Sequence, residues 1–165
     1  VEDRKKQIEE LVPQLQSLRI DSQESTKTEV YEGLKGFNTA LNRFLSCPSG
    51  SSVDILAFSN IAYKAKELLA LLERINNKLL RKKMKLRVLA DHDSIIREVS
   101  HYKKNIDVKY MPKGYVSPCA IDVCHDMVCI FIWGDKPQAF FIQNKNVAEG
   151  FKSYFEFLWS IAKNG

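Results

Sequence analysis

The stretch that decides the fold of this chain runs Thr28-Glu29-Val30-Tyr31-Glu32-Gly33-Leu34-Lys35-Gly36-Phe37 and continues to Leu45. Its first residues alternate as in a short strand, and its later apolar residues recur every three or four positions, as on one buried face of a helix. Gly33 lies between the two patterns, and glycine accepts the positive φ that such a turn can require. The sequence therefore predicts a strand that turns directly into a helix.

A β-α-β unit follows this strand and helix. Residues 53–58 are an apolar run with the length of a buried strand, residues 60–84 carry apolar side chains at helical spacing, and residues 86–90 are a second apolar run. Two strands joined by a helix are generally parallel neighbours in one sheet. We therefore predict an α/β fold in which helices flank a mixed sheet.

The later part of the chain predicts an antiparallel meander at 117–144, after a helix at about 94–104 and a strand at 106–110. A two-residue turn at His125-Asp126 would give the first two strands of this meander one unbroken apolar face. The cross-strand pairs of that register are Val123 with Val128, Ile121 with Ile130, and Cys119 with Ile132.

The last predicted helix, at about 145–163, is apolar almost all round. Its broad face consists of Val147, Phe151, Tyr154, Phe155, Leu158 and Ile161. Phe157 and Trp159 lie outside this face, and such a surface is covered either by the same chain or by another. We place both aromatic residues in a predicted dimer interface. Packing against residues 1–19, which would give a monomer, is the alternative.

Residues 1–20 are predicted to be a charged linker helix ahead of one domain at 21–165. Its apolar residues form two short rows at a spacing of seven, Val1, Ile8 and Leu15 in one and Leu11 and Leu18 in the other. Such short rows do not make a stable coiled coil alone, and Pro13 removes a backbone donor. The helix is therefore either a short dimer seam through Ile8, Leu11, Leu15 and Leu18 or a helix packed on its own domain. The start at Val1 suggests a fragment of a longer protein.

The composition is that of one globular domain. The chain has 165 residues, of which 45% are hydrophobic, and a net charge of +5. No apolar run reaches the roughly 18 residues of a membrane span. Four cysteines at irregular spacing do not suggest a disulfide framework, and Cys119 lies on the opposite strand face from Cys124 and Cys129, which argues against a metal site. We expect a cytoplasmic, reduced protein without a cofactor or metal.

A ligand crevice is predicted where the two parallel strands end. Ser59, Asn60 and Tyr63 follow the first strand, and Asp91 and His92 follow the second. The carboxyl ends of parallel strands are where α/β folds bind ligands. The alternative is that Asp91-His92-Asp93 only caps the next helix.

A basic cluster at 78–87 is a candidate for phosphate binding. It consists of Lys78, Arg81, Lys82, Lys83, Lys85 and Arg87. The alternative is that these cations are favoured at the end of a helix by its dipole.

The segment Glu29-Val30-Tyr31-Glu32-Gly33-Leu34-Lys35-Gly36-Phe37, followed by this order of elements, resembles the TrmB-like transcription regulators of archaea. The resemblance covers nearly the whole chain. It implies a phospholipase-D-like domain that senses an effector, often a sugar, and that pairs as a homodimer. It also implies a linker from a DNA-reading winged helix, which this chain does not contain.

Phospholipase-D-like enzymes use a His-x-Lys-(x)4-Asp motif in which the histidine attacks phosphorus and the lysine holds a phosphate oxygen. When the aspartate is placed on Asp126, Cys119 stands at the histidine and Ile121 at the lysine. The resemblance therefore implies a non-catalytic effector-binding and dimerisation domain that meets DNA through the missing winged helix and does not bind membranes. Two alternatives stay open, which are a divergent phosphodiesterase using His92 or His125 and a nucleic-acid-binding module using the basic cluster.

Overall fold

The computed structural model of the chain describes residues 2–21, 25–99 and 106–165, and in the first helix it describes the side chains of 4–14. The helices of these residues are α1 (Glu2–Asp21), α2 (Gly33–Arg43), α3 (Lys66–Arg81) and α4 (Lys145–Ile161). The strands are β1 (Lys27–Glu32), β2 (Ser52–Leu56), β3 (Lys85–Ala90), β4 (Ile106–Tyr110), β5 (Cys119–Cys124), β6 (Met127–Ile132), β7 (Gln138–Gln143) and β8 (Lys163–Asn164). Single 3-10 turns lie at Phe44–Ser46, Ala62–Lys64 and Ile95–Glu98.

These strands form one mixed sheet in the order β1-β7-β6-β5-β2-β3-β4-β8. The strands β2, β3 and β4 run parallel, and the other neighbouring pairs are antiparallel. The predicted mixed α/β sheet and its parallel β-α-β unit are thus confirmed. The predicted meander register is also confirmed, because β5 and β6 pair Val123 with Val128 and Ile121 with Ile130.

The turn from β1 into α2 depends on two glycines. Gly33 has a φ of +72°, which glycine adopts without strain, and its backbone N donates to the carbonyl of Pro137 at 2.7 Å. A Cβ added at Gly36 would lie 3.3 Å from the backbone carbonyl carbon and the Cβ of Tyr31. The two glycines therefore let α2 turn back tightly against the strand that precedes it, as the sequence predicts.

Helices cover both faces of the sheet. On one face α2 and α3 enclose the main core, in which the ring of Phe37 lies 4.9 Å from that of Phe131. On the other face Ala148 of α4 packs against Val123 and Val128. Because alternate residues of a strand point to opposite faces, each central strand contributes to both layers. None of the helices in the described residues is long and apolar enough to cross a membrane.

The helix predicted at 60–84 is wrong at its start, since α3 begins only at Lys66. The side chain of Asn60 explains the delay. Its Nδ2 donates to the carbonyl of Asp93 at 2.8 Å, and its Oδ1 accepts from the backbone N of Ile95 at 2.9 Å. These two hydrogen bonds hold the residues before α3 against the loop that follows β3.

The helix predicted at about 94–104 is replaced in its described part by a single 3-10 turn at Ile95–Glu98. Val99 already has an extended backbone, with φ and ψ of −77° and 118°, as its β-branched side chain favours. Residues 100–105 of the predicted helix lie outside the described residues.

The last helix corrects one prediction about its aromatic residues. Trp159 packs within its own chain, where its ring stacks on that of Phe155 at 5.5 Å and Lys109 Nζ lies 4.9 Å from its centroid. The interpretation that Trp159 points away from the packed face is therefore wrong. The reason is that the end of α4 lies over Leu89, so that a second side of the helix is covered. Phe157 remains 66% exposed.

The helix α1 buries none of its described side chains. Residues 4–14 are all exposed, including Ile8 and Leu11 of the predicted seam. The side chains of Leu15 and Leu18 lie outside the described part of the chain. The described side chains of α1 are thus not buried against the domain, and the dimer seam stays a prediction.

Asp122 is a carboxyl group in the main core. It lies on β5 and, with Asn76 of α3, lines an internal cavity of about 20 Å³. Burial raises the pKa of Asp122 to about 7, because a carboxylate loses its hydration in the core. The Nδ2 of Asn76 has no hydrogen-bond partner among the described residues. Asp122 is therefore a residue through which the stability of the core depends on pH.

We expect Asp122 to lower the free energy of unfolding as the pH rises from about 4 to about 7. An unfolded aspartate loses its proton near pH 4, whereas folded Asp122 keeps it up to about pH 7, so that only the folded state binds this proton in between. Asp122→Asn should therefore be more stable than the parent chain at pH 8. Its advantage should be smaller by about 2–3 kcal/mol at pH 5.

Urea denaturation of both chains at pH 5 and pH 8 measures this difference. An equal advantage of the variant at the two pH values would mean that Asp122 does not titrate in this window.

Candidate functional site

The helix α4 is held on the sheet by an ion-pair network around Arg87. The guanidinium Nε and Nη2 donate to the two carboxylate oxygens of Asp54 at 2.8 and 2.9 Å, and Nη2 also donates to Glu156 of α4. The guanidinium lies over the rings of Phe155 and Trp159, at 4.9 and 5.4 Å from their centroids. Burial alone would lower the pKa of Arg87, but the bonds to the two carboxylates raise it above its ordinary value. The network therefore fixes the C-terminal half of α4 over β2 and β3.

This position of α4 leaves part of its own side of the sheet uncovered. Across β5, β6, β7 and β1, the side chains of Ile121, Ile130, Phe140 and Val30 form one apolar row. The first three are partly exposed, and Val30 on the edge strand is 61% exposed. Ile132, next to the row on β6, is 40% exposed. We call these five residues the open sheet face.

The positions that would carry phosphodiester chemistry lie on this same side of β5. Cys119 is half-buried, with its Sγ 3.8 Å from Ser117 Oγ, and Ile121 belongs to the open sheet face. Asp126 lies in the turn after β5, where its Oδ2 accepts from Gln143 Nε2 at 2.9 Å. An isoleucine supplies no positive charge for a phosphate oxygen, and a thiol in apolar surroundings is a poor nucleophile toward phosphorus. The strand is therefore unsuited to the motif's chemistry.

The two histidines considered as catalytic alternatives lie at opposite ends of the sheet. His92 follows the carboxyl end of β3, and His125 lies in the turn between β5 and β6. Their Nδ1 atoms lie 2.7 Å from Asp93 Oδ1 and 3.3 Å from Asp126 Oδ1, and both rings are more than half exposed. The structure does not bring them into one site.

The ligand crevice predicted at the strand ends forms only in part. Asn60 is used by its bonds to the loop after β3, and Ser59 is half-buried with its backbone N bonded to Ser117. Tyr63 is buried in the core, where its ring lies edge-on to Phe58 at 6.2 Å. This burial corrects the prediction that Tyr63 lines the crevice, because Tyr63 belongs to the 3-10 turn Ala62–Lys64, whose buried side chains pack in the main core.

Asp91 remains a candidate ligand contact at this place. It is 8% exposed, and its Oδ1 has no hydrogen-bond partner among the described residues. Burial raises the pKa of Asp91. The pKa of the nearby Tyr115 is raised too, first by burial and then by the charge of Asp91. A buried carboxylate oxygen without a donor is costly, so a group that donates to it would be stabilised here.

The predicted basic cluster at 78–87 does not form one surface. Lys78 Nζ donates to Asn42 Oδ1 at 3.2 Å, and Lys82 Nζ donates to two backbone carbonyls in the loop after α2. Arg87 is bound beneath α4. The exposed members are Arg81, Lys83 and Lys85. Half of these cations therefore support the fold.

The structure also contains an open polar cavity that the sequence did not predict. It has a volume of about 520 Å³ and lies at the end of the sheet opposite Asp91. Its lining residues are Ser25, Lys27, His125, Asp126, Gln143, Asn144, Lys145, Glu149 and Lys152. They come from three separate segments of the chain, so no local sequence motif predicts the cavity. The signals that the sequence does carry are the turn at His125-Asp126 and the capping residue Asn144 before the last helix.

No protein-family model matches the chain, and a comparison with curated protein sequences finds no match. Solved structures do resemble it. TrmBL2, described as an archaeal chromatin protein with a novel mode of DNA binding, has a TM-score of 0.60 and 17% identity. That similarity covers 99% of this chain but only 63% of TrmBL2, so the chain spans less than two thirds of that protein.

Two members of the phospholipase D structural class are similar over their whole length. Nuc from Salmonella typhimurium has a TM-score of 0.61 and 12% identity, over 86% of this chain and 99% of Nuc. NucT from Helicobacter pylori has a TM-score of 0.59 and 14% identity, over 86% of this chain and 100% of NucT. The phospholipase-D-like fold and the resemblance to the TrmB-like regulators are thus confirmed at the level of fold, which is shared by enzymes and by a DNA-binding protein.

Proposed function

We propose that this chain is a non-catalytic effector-binding and dimerisation domain of a DNA-binding transcription regulator. The observation that carries the proposal is the apolar strand β5, where Cys119 and Ile121 stand at the positions of a catalytic histidine and lysine. The fold shared with TrmBL2 supports a regulatory role, since that protein binds DNA and is longer than this chain. DNA would be read by a winged helix joined to the domain through α1.

A second copy of the chain is the proposed partner of the open sheet face. Its row Ile121-Ile130-Phe140-Val30 carries no charge, and a two-fold axis would place the same row on both sides of the contact. Burying a partly exposed side chain of this size contributes up to about 1.5–3 kcal/mol. A symmetric dimer would also present two DNA-reading heads to a palindromic site.

Two further surfaces belong to the dimer proposal. The exposed residues Ile8 and Leu11 of α1 offer a short seam between linkers, continued in the sequence by Leu15 and Leu18. Phe157 offers an exposed ring on the outer side of α4, whereas Trp159 is occupied by its own chain. We regard the open sheet face as the main contact, because it is broad and continuous across four strands.

The proposed effector is a small polar molecule, such as a sugar, that donates a hydrogen bond to Asp91. The unsatisfied Oδ1 of Asp91 favours a hydroxyl donor, and the exposed ring of His92 lies at the next residue. Asn60 acts by holding the two loops of this site together.

The alternative function is a phosphodiesterase, and the similarity to Nuc and NucT favours it. Such an enzyme would need His92 or His125 as its nucleophile or base, in place of the missing motif. Neither lies next to Cys119, and each lies beside an aspartate at a separate end of the sheet.

The dimer proposal predicts that Ile130→Asp dissociates the chain. The mass by light scattering should fall from twice 19.0 kDa to 19.0 kDa at micromolar concentration, because the charge would be buried in the contact. A loss of about 2–3 kcal/mol would weaken the dimer by a factor on the order of 100.

Ile61→Asp is the matched control, since Ile61 is 78% exposed in the loop before α3. It should leave the mass unchanged. Dissociation by Phe157→Asp instead of Ile130→Asp would move the interface to α4, and a parent chain of 19.0 kDa would end the dimer proposal.

The effector proposal predicts that glucose or maltose raises the melting temperature of the parent chain, as a ligand of the folded state does. Asp91→Asn should abolish the shift, because the amide oxygen of asparagine is a weaker hydrogen-bond acceptor than a carboxylate oxygen. Asp93→Asn makes the same change at an exposed neighbour and should retain the shift. If no sugar shifts the parent chain, or if both variants keep the shift, the effector does not bind at Asp91.

The proposal of a non-catalytic domain predicts that the purified chain does not hydrolyse bis-p-nitrophenyl phosphate or DNA. Cys119 cannot replace the histidine that attacks phosphorus, and Ile121 cannot replace the lysine that holds a phosphate oxygen. Turnover that disappears in His92→Ala or in His125→Ala would establish the phosphodiesterase instead. Turnover that persists in both variants would point to a contaminating enzyme.

A further inference from the structure

Three segments of the chain meet at the open polar cavity, and Asn144 joins them. Its backbone N donates to the carbonyl of Asp126 at 2.8 Å, its Nδ2 donates to Thr26 Oγ1 at 2.7 Å, and its Oδ1 accepts from Val147 N at 3.0 Å. These bonds fix the residues before β1, the turn between β5 and β6, and the first turn of α4 relative to one another. The cavity is therefore preformed, which lowers the entropic cost of binding a ligand.

Positive side chains line this cavity. Lys152 Nζ donates to the carbonyl of His125 at 3.1 Å, which holds its charge at the wall. The ammonium groups of Lys27 and Lys145 make no ion pair or hydrogen bond within the described part of the chain. The first turn of α4 adds its positive dipole end, since this helix is 17 residues long. Several cationic groups thus surround one open volume.

The acidic side chains of the cavity balance only part of this positive charge. Burial acts to raise the pKa of Asp126, but hydrogen bonds from Gln143 and His125 lower it overall, so that this carboxylate is already satisfied. Glu149 is exposed on the outer turn of α4. Three lysines against two carboxylates leave an excess of one positive charge even when His125 is neutral.

We propose that the open polar cavity is a binding site for a small oxyanion, with phosphate-bearing or carboxylate-bearing metabolites as its ligands. Its volume of about 520 Å³ is within the range of small-molecule sites. Its lysines and the start of a helix match the negative oxygens of such a ligand. The site is distinct from Asp91, which lies at the other end of the sheet and repels anions.

The open polar cavity lies close in sequence to the linker helix α1. Ser25 and Lys27 line the cavity and lie shortly after Asp21, the last residue of α1. An anion that bridges Lys27 of β1 and Lys145 of α4 holds the start of β1 against the helix. The bound ligand therefore holds residues 25–27, which follow the linker helix in the sequence, against α4.

The test is a titration of the whole chain with inorganic phosphate at constant ionic strength, followed by melting temperature and by amide hydrogen exchange. We expect saturable stabilisation and slower exchange at residues 25–28 and 145–147. Lys27→Gln combined with Lys145→Gln should weaken phosphate binding at least tenfold. Citrate is the carboxylate arm, and a response to citrate alone would support the site and assign it to carboxylates.

The matched control combines Lys64→Gln with Lys113→Gln, which removes the same charge from exposed positions outside the cavity. It should bind phosphate as the parent chain does. Equal weakening in this control, equal stabilisation by sodium chloride, or no response to either anion would overturn the proposal. Light scattering of the same samples measures the oligomeric state. A chain that is monomeric but binds phosphate would contradict only the dimer proposal, and a dimer without phosphate binding would contradict only this one.

Discussion

The ion pair between Asp54 and Arg87 is the constraint on which the arrangement of the layers depends. The two residues are register partners on the parallel strands β2 and β3, and their side chains lie beneath α4. A buried carboxylate is tolerated only when it is paired and hydrogen-bonded, and Ser52 Oγ adds a further donor to Asp54 at 2.9 Å. Such a pair contributes little net stability, yet removal of one partner costs about 3–5 kcal/mol. Its main effect is therefore to specify where α4 docks.

The position of α4 determines which part of the sheet stays exposed on this side. Because Glu156 and the rings of Phe155 and Trp159 meet Arg87, the second half of α4 lies over β2 and β3, whereas its first half packs on β5 and β6 through Ala148. The open sheet face is the part of β5, β6, β7 and β1 that α4 leaves partly exposed on this side. An apolar surface that is continuous over several strands is typical of an interaction site, and here it includes Ile121. The positions of the motif's histidine and lysine and part of the open sheet face thus lie on the same strand.

The two ends of the sheet differ in charge. Asp91 lies with an unsatisfied oxygen at the carboxyl end of β3, whereas Lys27, Lys145 and Lys152 surround the cavity at the other end. A fold that enzymes and a DNA-binding protein share does not by itself specify a function. The proposals for ligands therefore rest on these local groups, a hydroxyl donor for the acceptor at one end and an oxyanion for the lysines at the other.

The sequence by itself determined the elements that depend on neighbouring residues. The strand-to-helix turn at Gly33, the β-α-β unit and the register across His125-Asp126 were all predicted correctly, because backbone conformation and alternation decide them locally. The family resemblance, in addition, implied that Cys119 and Ile121 stand at the positions of the motif's histidine and lysine.

Only the tertiary structure decided where distant segments meet. The start of α3 depends on hydrogen bonds from Asn60 to a loop 33 residues later, and the packing of Trp159 on its own chain depends on the ion pair that docks α4. The open polar cavity needs three segments that Asn144 brings together. Side-chain hydrogen bonds and packing between remote parts of the chain leave no periodic pattern in the sequence, so this cavity became visible only in the folded molecule.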